Sequence, residues 1–161
     1  MISVNLIVVG RLKEKYWHDA VKEYSKRLSA FCKLEIVELN EVRLSDNPSQ
    51  KEIDACLLSE GKHMLPYIRQ NNSYTIAMCI EGKELSSVAL SERLETETVG
   101  GTSTFNFIIG SSFGISPEIK SASDFKLSMS PMTFPHQLAR VILLEQIYRA
   151  FSISNNSKYH K

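Results

Sequence analysis

The chain has 161 residues, of which 43% are apolar and 23% charged, with a net charge of +1. That composition reads as a soluble globular protein of ordinary domain size, long enough to bury a full core. It excludes a bilayer-spanning apolar run and a global basic field of the kind that grips nucleic acid, although a local basic face stays open.

The N-terminus, MISVNLIVVGRLKEK, has no basic region ahead of its apolar residues and no small-residue cleavage site, so it reads as a first strand and not a signal peptide. Cys32, Cys56 and Cys79 are odd in number and widely spaced, without a C-x-x-C pair. Neither a metal site nor a disulfide framework is expected, and reduced thiols in the cytoplasm are the simple account.

In chain order, Ile2 to Val9 is a β-branched run ending at Gly10, a buried strand. Trp17, Ala20, Val21, Tyr24, Leu28 and Phe31 then recur at helical spacing among lysines and glutamates, an amphipathic helix with a solvated outer face. Leu34 to Leu39 alternates as a second strand. After the polar stretch 40–47, Pro48 and Ser49 open a second helix that turns Ile53, Cys56, Leu57, Met64 and Leu65 inward, with Pro66 disturbing its end. His63 on this helix has no metal-ligand spacing and reads as a surface residue. Asn71-Asn72-Ser73 is a turn and Tyr74 to Ile80 a third strand, broken by Gly82.

Ser86 and Ser87 are candidate caps for a third helix carrying Val88, Leu90 and Leu94, which ends at Gly100-Gly101. Phe105 to Ile109 is a fourth strand. It runs into Gly110-Ser111-Ser112-Phe113-Gly114, after which Ser116-Pro117-Glu118 starts a short helix. Asp124 to Met129 is a fifth strand. Ser128 to Pro135 is an apolar loop stiffened by Pro131 and Pro135, and a helix with Leu138, Val141, Ile142, Leu144, Glu145 and Tyr148 at its spacing follows from His136 to Ile153.

Strand and helix alternate throughout. The pattern predicts an α/β fold, a mostly parallel sheet with helices on both faces, in one domain. Ligands then bind beyond the carboxyl ends of the strands. Three loops meet there: Glu81-Gly82, Gly110 to Ile115 and Ser128 to Pro135.

Each motif has a plain and a functional reading. The glycine loop is either a tight strand-to-helix turn or a cradle for an anionic group; it is neither a P-loop nor the dinucleotide fingerprint. Met129, Met132 and Phe134 are either core or the wall of a pocket for a flat apolar group. Glu145 and Arg149 are a routine i,i+4 pair or a functional one, and Arg140 is a candidate phosphate contact. His136 reads as positioning backbone. The tail 154–161 is disordered by default, yet Tyr159, His160, Lys158 and Lys161 suit work on RNA.

Taken together, several blocks make the chain similar to the RlmH family, small SPOUT-class methyltransferases that act on a pseudouridine of large-subunit (23S) ribosomal RNA. They are Val9-Gly10-Arg11-Leu12-Lys13, Glu81-Gly82-Lys83 with Leu85-Ser86-Ser87, Ile109 to Gly114, and Met132 to Gln137. Arg140, Glu145-Gln146, Tyr148-Arg149-Ala150 and Tyr159-His160-Lys161 complete the set.

The resemblance covers nearly the whole length. It implies a SPOUT-type α/β knot: one domain, 1–161, with a trefoil knot over about 104–153 and a tail from 154 to 161. It further implies a cytoplasmic homodimer, the ribosome as substrate, no membrane and no metal. S-adenosylmethionine would be held by Met78, Gly110, Met129, Ser130, Pro131, Met132, Thr133 and Phe134, leaving S-adenosylhomocysteine as product. Tyr159 and His160 would form the acceptor side and Glu145 and Arg149 its orienting partners, with the tail completing the partner subunit's site. Ser111 departs from the usual second glycine of the loop, which tightens the room beside the methionine moiety. Pro131 removes a backbone donor. A non-catalytic RNA- or ribosome-binding protein on the same fold is the alternative from another class.

Overall fold

The computed structural model describes residues 1–160. Ten elements alternate: β1 (Ile2–Val9), α1 (Lys15–Leu28), β2 (Cys32–Leu39), α2 (Gln50–Ile68), β3 (Ser73–Glu84), α3 (Ser87–Val99), β4 (Thr104–Ile109), α4 (Pro117–Ala122), β5 (Phe125–Ser128) and α5 (His136–Ser154). The sheet order is β2-β1-β4-β3-β5, and all four pairings are parallel. Parallel neighbours need crossovers, which the helices supply on both faces.

The strands alternate between two cores. Val4, Leu6 and Val8 of β1 and Phe105 and Phe107 of β4 join the core under α1, α3 and α5. Ile7, Val9 and Ile108 face the smaller core under α2 and α4, with Met64 and Ile119. The second face also holds a polar ladder. Asn5 donates to Asn106 Oδ1 (2.9 Å), and Asn106 donates to Tyr67 O (2.9 Å) and Thr75 Oγ1 (3.2 Å). A one-residue slip would bury these amides without partners, so the ladder specifies the register of β1, β4 and β3.

Of the candidate cap serines, Ser86 and Ser116 act as caps, while Ser87 is the first residue of α3 and donates to Gln146 Oε1 at 2.7 Å; Ser49 caps α2. Ser49 forms a capping box with Glu52, Ser86 accepts from the Ala89 amide, and Ser116 accepts from the Ile119 amide. Three expectations need correction. Pro66 lies inside α2, which runs on to Ile68. In the last turn proline forfeits one hydrogen bond, and the Arg69 amide still bonds to Leu65 O at 3.1 Å. Val88 is exposed, not inward. Gly82 does not break β3.

The strand continues past Gly82 to Glu84 with a bulge instead. Met78 and Lys83 both sit opposite Leu127, so residues 79–82 arch out of the ladder. A Cβ on Gly82 would lie 2.8 Å from the backbone of Lys126 and Leu127. Only glycine lets the bulged strand return so close to β5.

Candidate active site

The carboxyl ends of β3, β4 and β5 enclose a cavity of about 380 Å³. Its first wall is the β3 bulge, Met78 to Glu81. The second is the turn from Gly110 to Ile115. The third is the loop Met129 to Phe134, and His136 and Ala139 close it from the first turn of α5. The three loops expected side by side do meet. Met78, Gly110, Met129, Ser130, Met132, Thr133 and Phe134 all line the cavity. Pro131 is exposed and does not; it holds the loop between two lining residues.

Local chemistry makes these walls stiff. At Gly110 a Cβ would lie 2.2 Å from Gly114 O, and Gly114 itself has φ +91°, so the turn closes on itself only with glycine at both places. The Gly114 amide donates to Ser111 O at 2.8 Å. In the third wall Ser128 Oγ donates to Ser130 O (3.2 Å) and Ser130 Oγ accepts from the Met132 amide (3.0 Å), adding to the constraint of Pro131.

Charge is sparse here. Lys120 pairs with Glu81 at the rim and holds that carboxyl below its usual range. His136 is exposed as a residue, yet partial desolvation of its ring holds the imidazole below its ordinary value; Glu41 and the Gly110 backbone partly offset this and Arg140 adds to it. Among the described residues no group of three or more His, Cys, Asp and Glu is placed to hold a metal.

A second cluster forms along the second half of α5, from Glu145 onward. Arg149 binds Glu145 Oε1 from Nε (2.8 Å) and Nη2 (2.6 Å), while the Tyr159 hydroxyl donates to Glu145 Oε2 (2.9 Å). Arg149 lies over the Tyr159 ring at 4.7 Å and donates to His160 Nδ1 at 3.3 Å. Glu145, Arg149, Tyr159 and His160 are therefore together.

The helix ending explains how the tail returns. Asn156 takes φ +53°, its amide bonds to Ile153 O, and the Ser157 amide reaches Ser152 O at 2.8 Å. This is a Schellman ending, which reverses the chain and lays Tyr159 against Tyr148. The tail is thus ordered as far as His160; Lys161 lies outside the described residues.

Two residues of α1 join this cluster: Tyr24, expected on the apolar face of an amphipathic helix, and Arg27, which no sequence signal singles out. Tyr24 is pushed up to about 12 by burial and by Glu145, and Arg27 lies over the Tyr24 and Tyr148 rings. No spacing rule on α1 links them to the site, because Glu145 and Tyr148 are more than a hundred residues away. Arg140, expected to reach phosphate, is 2% exposed. It binds Glu38 at 2.9 Å and Gly10 O at 3.2 Å, tying β1 and β2 to α5.

The cavity and the tail cluster share no residue in one chain. From His136 to Glu145 the helix rises about 13 Å. The structure brings the expected cofactor residues together and the expected acceptor-side residues together, but at separate places.

A parallel sheet whose strand ends cradle one apolar, glycine-walled cavity defines an α/β enzyme of the cofactor-binding kind. The sequence model described as "Predicted SPOUT methyltransferase" matches residues 2–160, and the chain belongs to that family. It is 48% identical over 160 residues to "Ribosomal RNA large subunit methyltransferase H" of Clostridioides difficile (strain 630), and 45% identical to the protein of the same name from Fusobacterium nucleatum. In both cases 99% of this chain and 100% of the relative are covered. Among solved structures, "a probable methylase family protein from Haemophilus influenzae Rd KW20" superposes with a TM-score of 0.54 at 12% identity. That match covers 99% of this chain and 71% of the other, a likeness of fold alone.

Proposed function

We propose that the chain is an S-adenosylmethionine-dependent methyltransferase acting on N3 of a pseudouridine in large-subunit ribosomal RNA. The observation that carries the cofactor assignment is the cavity. Its volume suits a ligand of nucleoside size. Met78, Met129 and Phe134 offer adaptable apolar contact for a flat base. Gly110 lets backbone come against the ligand where any side chain is forbidden by Gly114 O. Ser130 and Thr133 supply hydroxyls, and exposed Met132 sits on the rim. These residues fit the cofactor and would hold it; when bound it supplies an electrophilic methyl on a sulfonium.

The rest falls to the chain. N3 of pseudouridine is a weakly acidic imide and attacks only as its proton is removed or strongly shared. Tyr159 and His160 are the groups of the right type to sit against that proton. Glu145 orients the Tyr159 hydroxyl through its 2.9 Å hydrogen bond, and Arg149 holds Glu145, stacks on Tyr159 and bonds His160. Because cavity and tail cluster are separate within one chain, the reading includes a homodimer in which each tail completes its partner's site. It also includes one domain over 1–161, knotted over about 104–153, working in the cytoplasm on ribosomes.

The test is methyl transfer to ribosomes from a strain lacking the modification, with Tyr159→Phe and His160→Ala beside the wild type. Loss of rate in both with cofactor binding intact is expected; unchanged rates would remove the tail from the reaction. Calorimetry with S-adenosylmethionine decides against the binding-only alternative, which predicts no heat of binding.

A further inference from the structure

Beneath the glycine turn lies a carboxyl that the reading above does not use. Glu60 of α2 is 3% exposed, and its Oε1 accepts the Ser111 hydroxyl at 2.8 Å. Its Oε2 is buried with no hydrogen-bond partner among the described residues. The Cys56 thiol, one turn earlier on α2, and the Glu41 carboxylate in the loop before α2 face the same group. A charged residue is rarely buried unless something holds it there.

The fit of α2 to this region is close. At Gly61 a Cβ would lie 3.0 Å from both Ile119 Cγ1 and Ser116 Oγ, so α2 seats directly on the start of α4, the segment that the glycine turn feeds. Ser111 is 7% exposed, and its hydroxyl is turned to α2. The side chain that stands where a second glycine was expected is thus engaged from below. Gly110 is fixed by contact with Gly114 and Gly114 by its bond to Ser111, so Ser111 is the point where a tether from outside fixes the whole turn.

We propose that Glu60 is a positioning residue for methyl transfer: through the Ser111 hydroxyl it clamps the Gly110–Gly114 turn in the shape that the cofactor needs. The inference rests on the reading of this cavity as the methyl-donor site. Glu60 touches no reacting atom. It acts by holding one wall of the cavity before the ligand arrives, which lowers the cost of ordering that wall on binding.

The experiment uses the full-length protein and variants Glu60→Ala, Glu60→Gln, Ser111→Ala and Glu60→Ala/Ser111→Ala. Calorimetry with S-adenosylhomocysteine reads affinity, and amide hydrogen exchange without ligand reads the turn directly. The loss of one charge-assisted clamp raises Kd about tenfold in both alanine variants. The double variant is no weaker than the weaker single one, because both remove the same tether. Glu60→Gln keeps an acceptor and binds as the wild type does. Exchange at residues 111–115 accelerates in the alanine variants and not in Glu60→Gln. Should Glu60→Ala fail to fold, Ser111→Ala alone carries the test. Wild-type Kd in folded Ser111→Ala, even with a lowered Tm, overturns the positioning role. A wild-type protein that binds neither S-adenosylmethionine nor S-adenosylhomocysteine overturns the donor-site reading itself, and this inference with it.

Discussion

Two buried or half-buried carboxylates set the behaviour of their neighbours, and each leads to a titration experiment. Glu145 holds Tyr159 and raises Tyr24 towards about 12, second only to burial as a cause. In Glu145→Gln the burial stays and the negative charge goes. The Tyr24 titration moves down from about 12 but stops short of the ordinary 10.0. Phenolate absorbance against pH reads this, with Tyr24→Phe used to assign the band among six tyrosines. A titration unmoved by Glu145→Gln would refute the pairing. For Glu60, burial raises the carboxyl above its ordinary 4.5. The folded state therefore binds this proton more tightly than the unfolded chain. Its contribution to stability is complete below the unfolded value and is lost as pH rises through the folded one. Glu60→Gln removes that loss. Its urea midpoint matches the wild type in acid and exceeds it at neutral pH, with a flatter dependence between. A pH profile parallel to the wild type contradicts the assignment. Glu145 was marked beforehand by its i,i+4 spacing to Arg149 and by the family resemblance, whereas Glu60 was not legible: it reads as one polar residue on a helix, and only its burial and Ser111 distinguish it.

At the scale of elements, the β3 bulge decides the shape of the cavity. Gly82→Ala pushes a Cβ to 2.8 Å from the Lys126–Leu127 backbone, where no flexible side chain can give way. The strand must shift, at a cost of about 1–3 kcal/mol, and the displaced arch weakens cofactor binding as well. Urea denaturation and calorimetry on the one variant check both; an unchanged midpoint would mean that β3 and β5 are looser than the contact implies. Gly82 also shows what a sequence can tell here. A glycine inside a strand signals either an end or a bulge, and the composition of Glu81-Gly82-Lys83 does not choose between them. The strand and helix alternation was legible because Ile2–Val9 and Phe105–Ile109 are nearly all apolar and the helix starts carry Ser49, Ser86 and Ser116. The order β2-β1-β4-β3-β5 was not. Periodicity says which face of a strand is buried and is silent on its neighbour, which here is chosen by the Asn5–Asn106–Thr75 ladder and the apolar faces on either side of it.

At the scale of the molecule the separation of the two clusters is the feature to explain. The residues assigned to the methyl donor surround the first turn of α5, and those assigned to the acceptor gather along its second half, from Glu145 to the returning tail. A single chain so built holds a donor without an acceptor side. In the proposed homodimer, an isologous pair would present each donor cavity to the other's tail. This arrangement is tested by mixing two inactive proteins. Gly110→Ala puts a Cβ 2.2 Å from Gly114 O and disables the cavity while leaving its tail intact. His160→Ala disables the tail while leaving its cavity intact. After subunit exchange, half of the pairs are mixed, and each mixed pair has one site with a sound cavity and a sound tail. Methyl transfer then recovers to about a quarter of the wild-type rate for statistical pairing. If each tail serves its own chain, every site in the mixture carries one defect and no activity returns. Circular dichroism of Gly110→Ala before mixing separates that result from a variant that has not folded, and native mass spectrometry of a mass-tagged subunit mixed with an untagged one verifies that exchange has occurred.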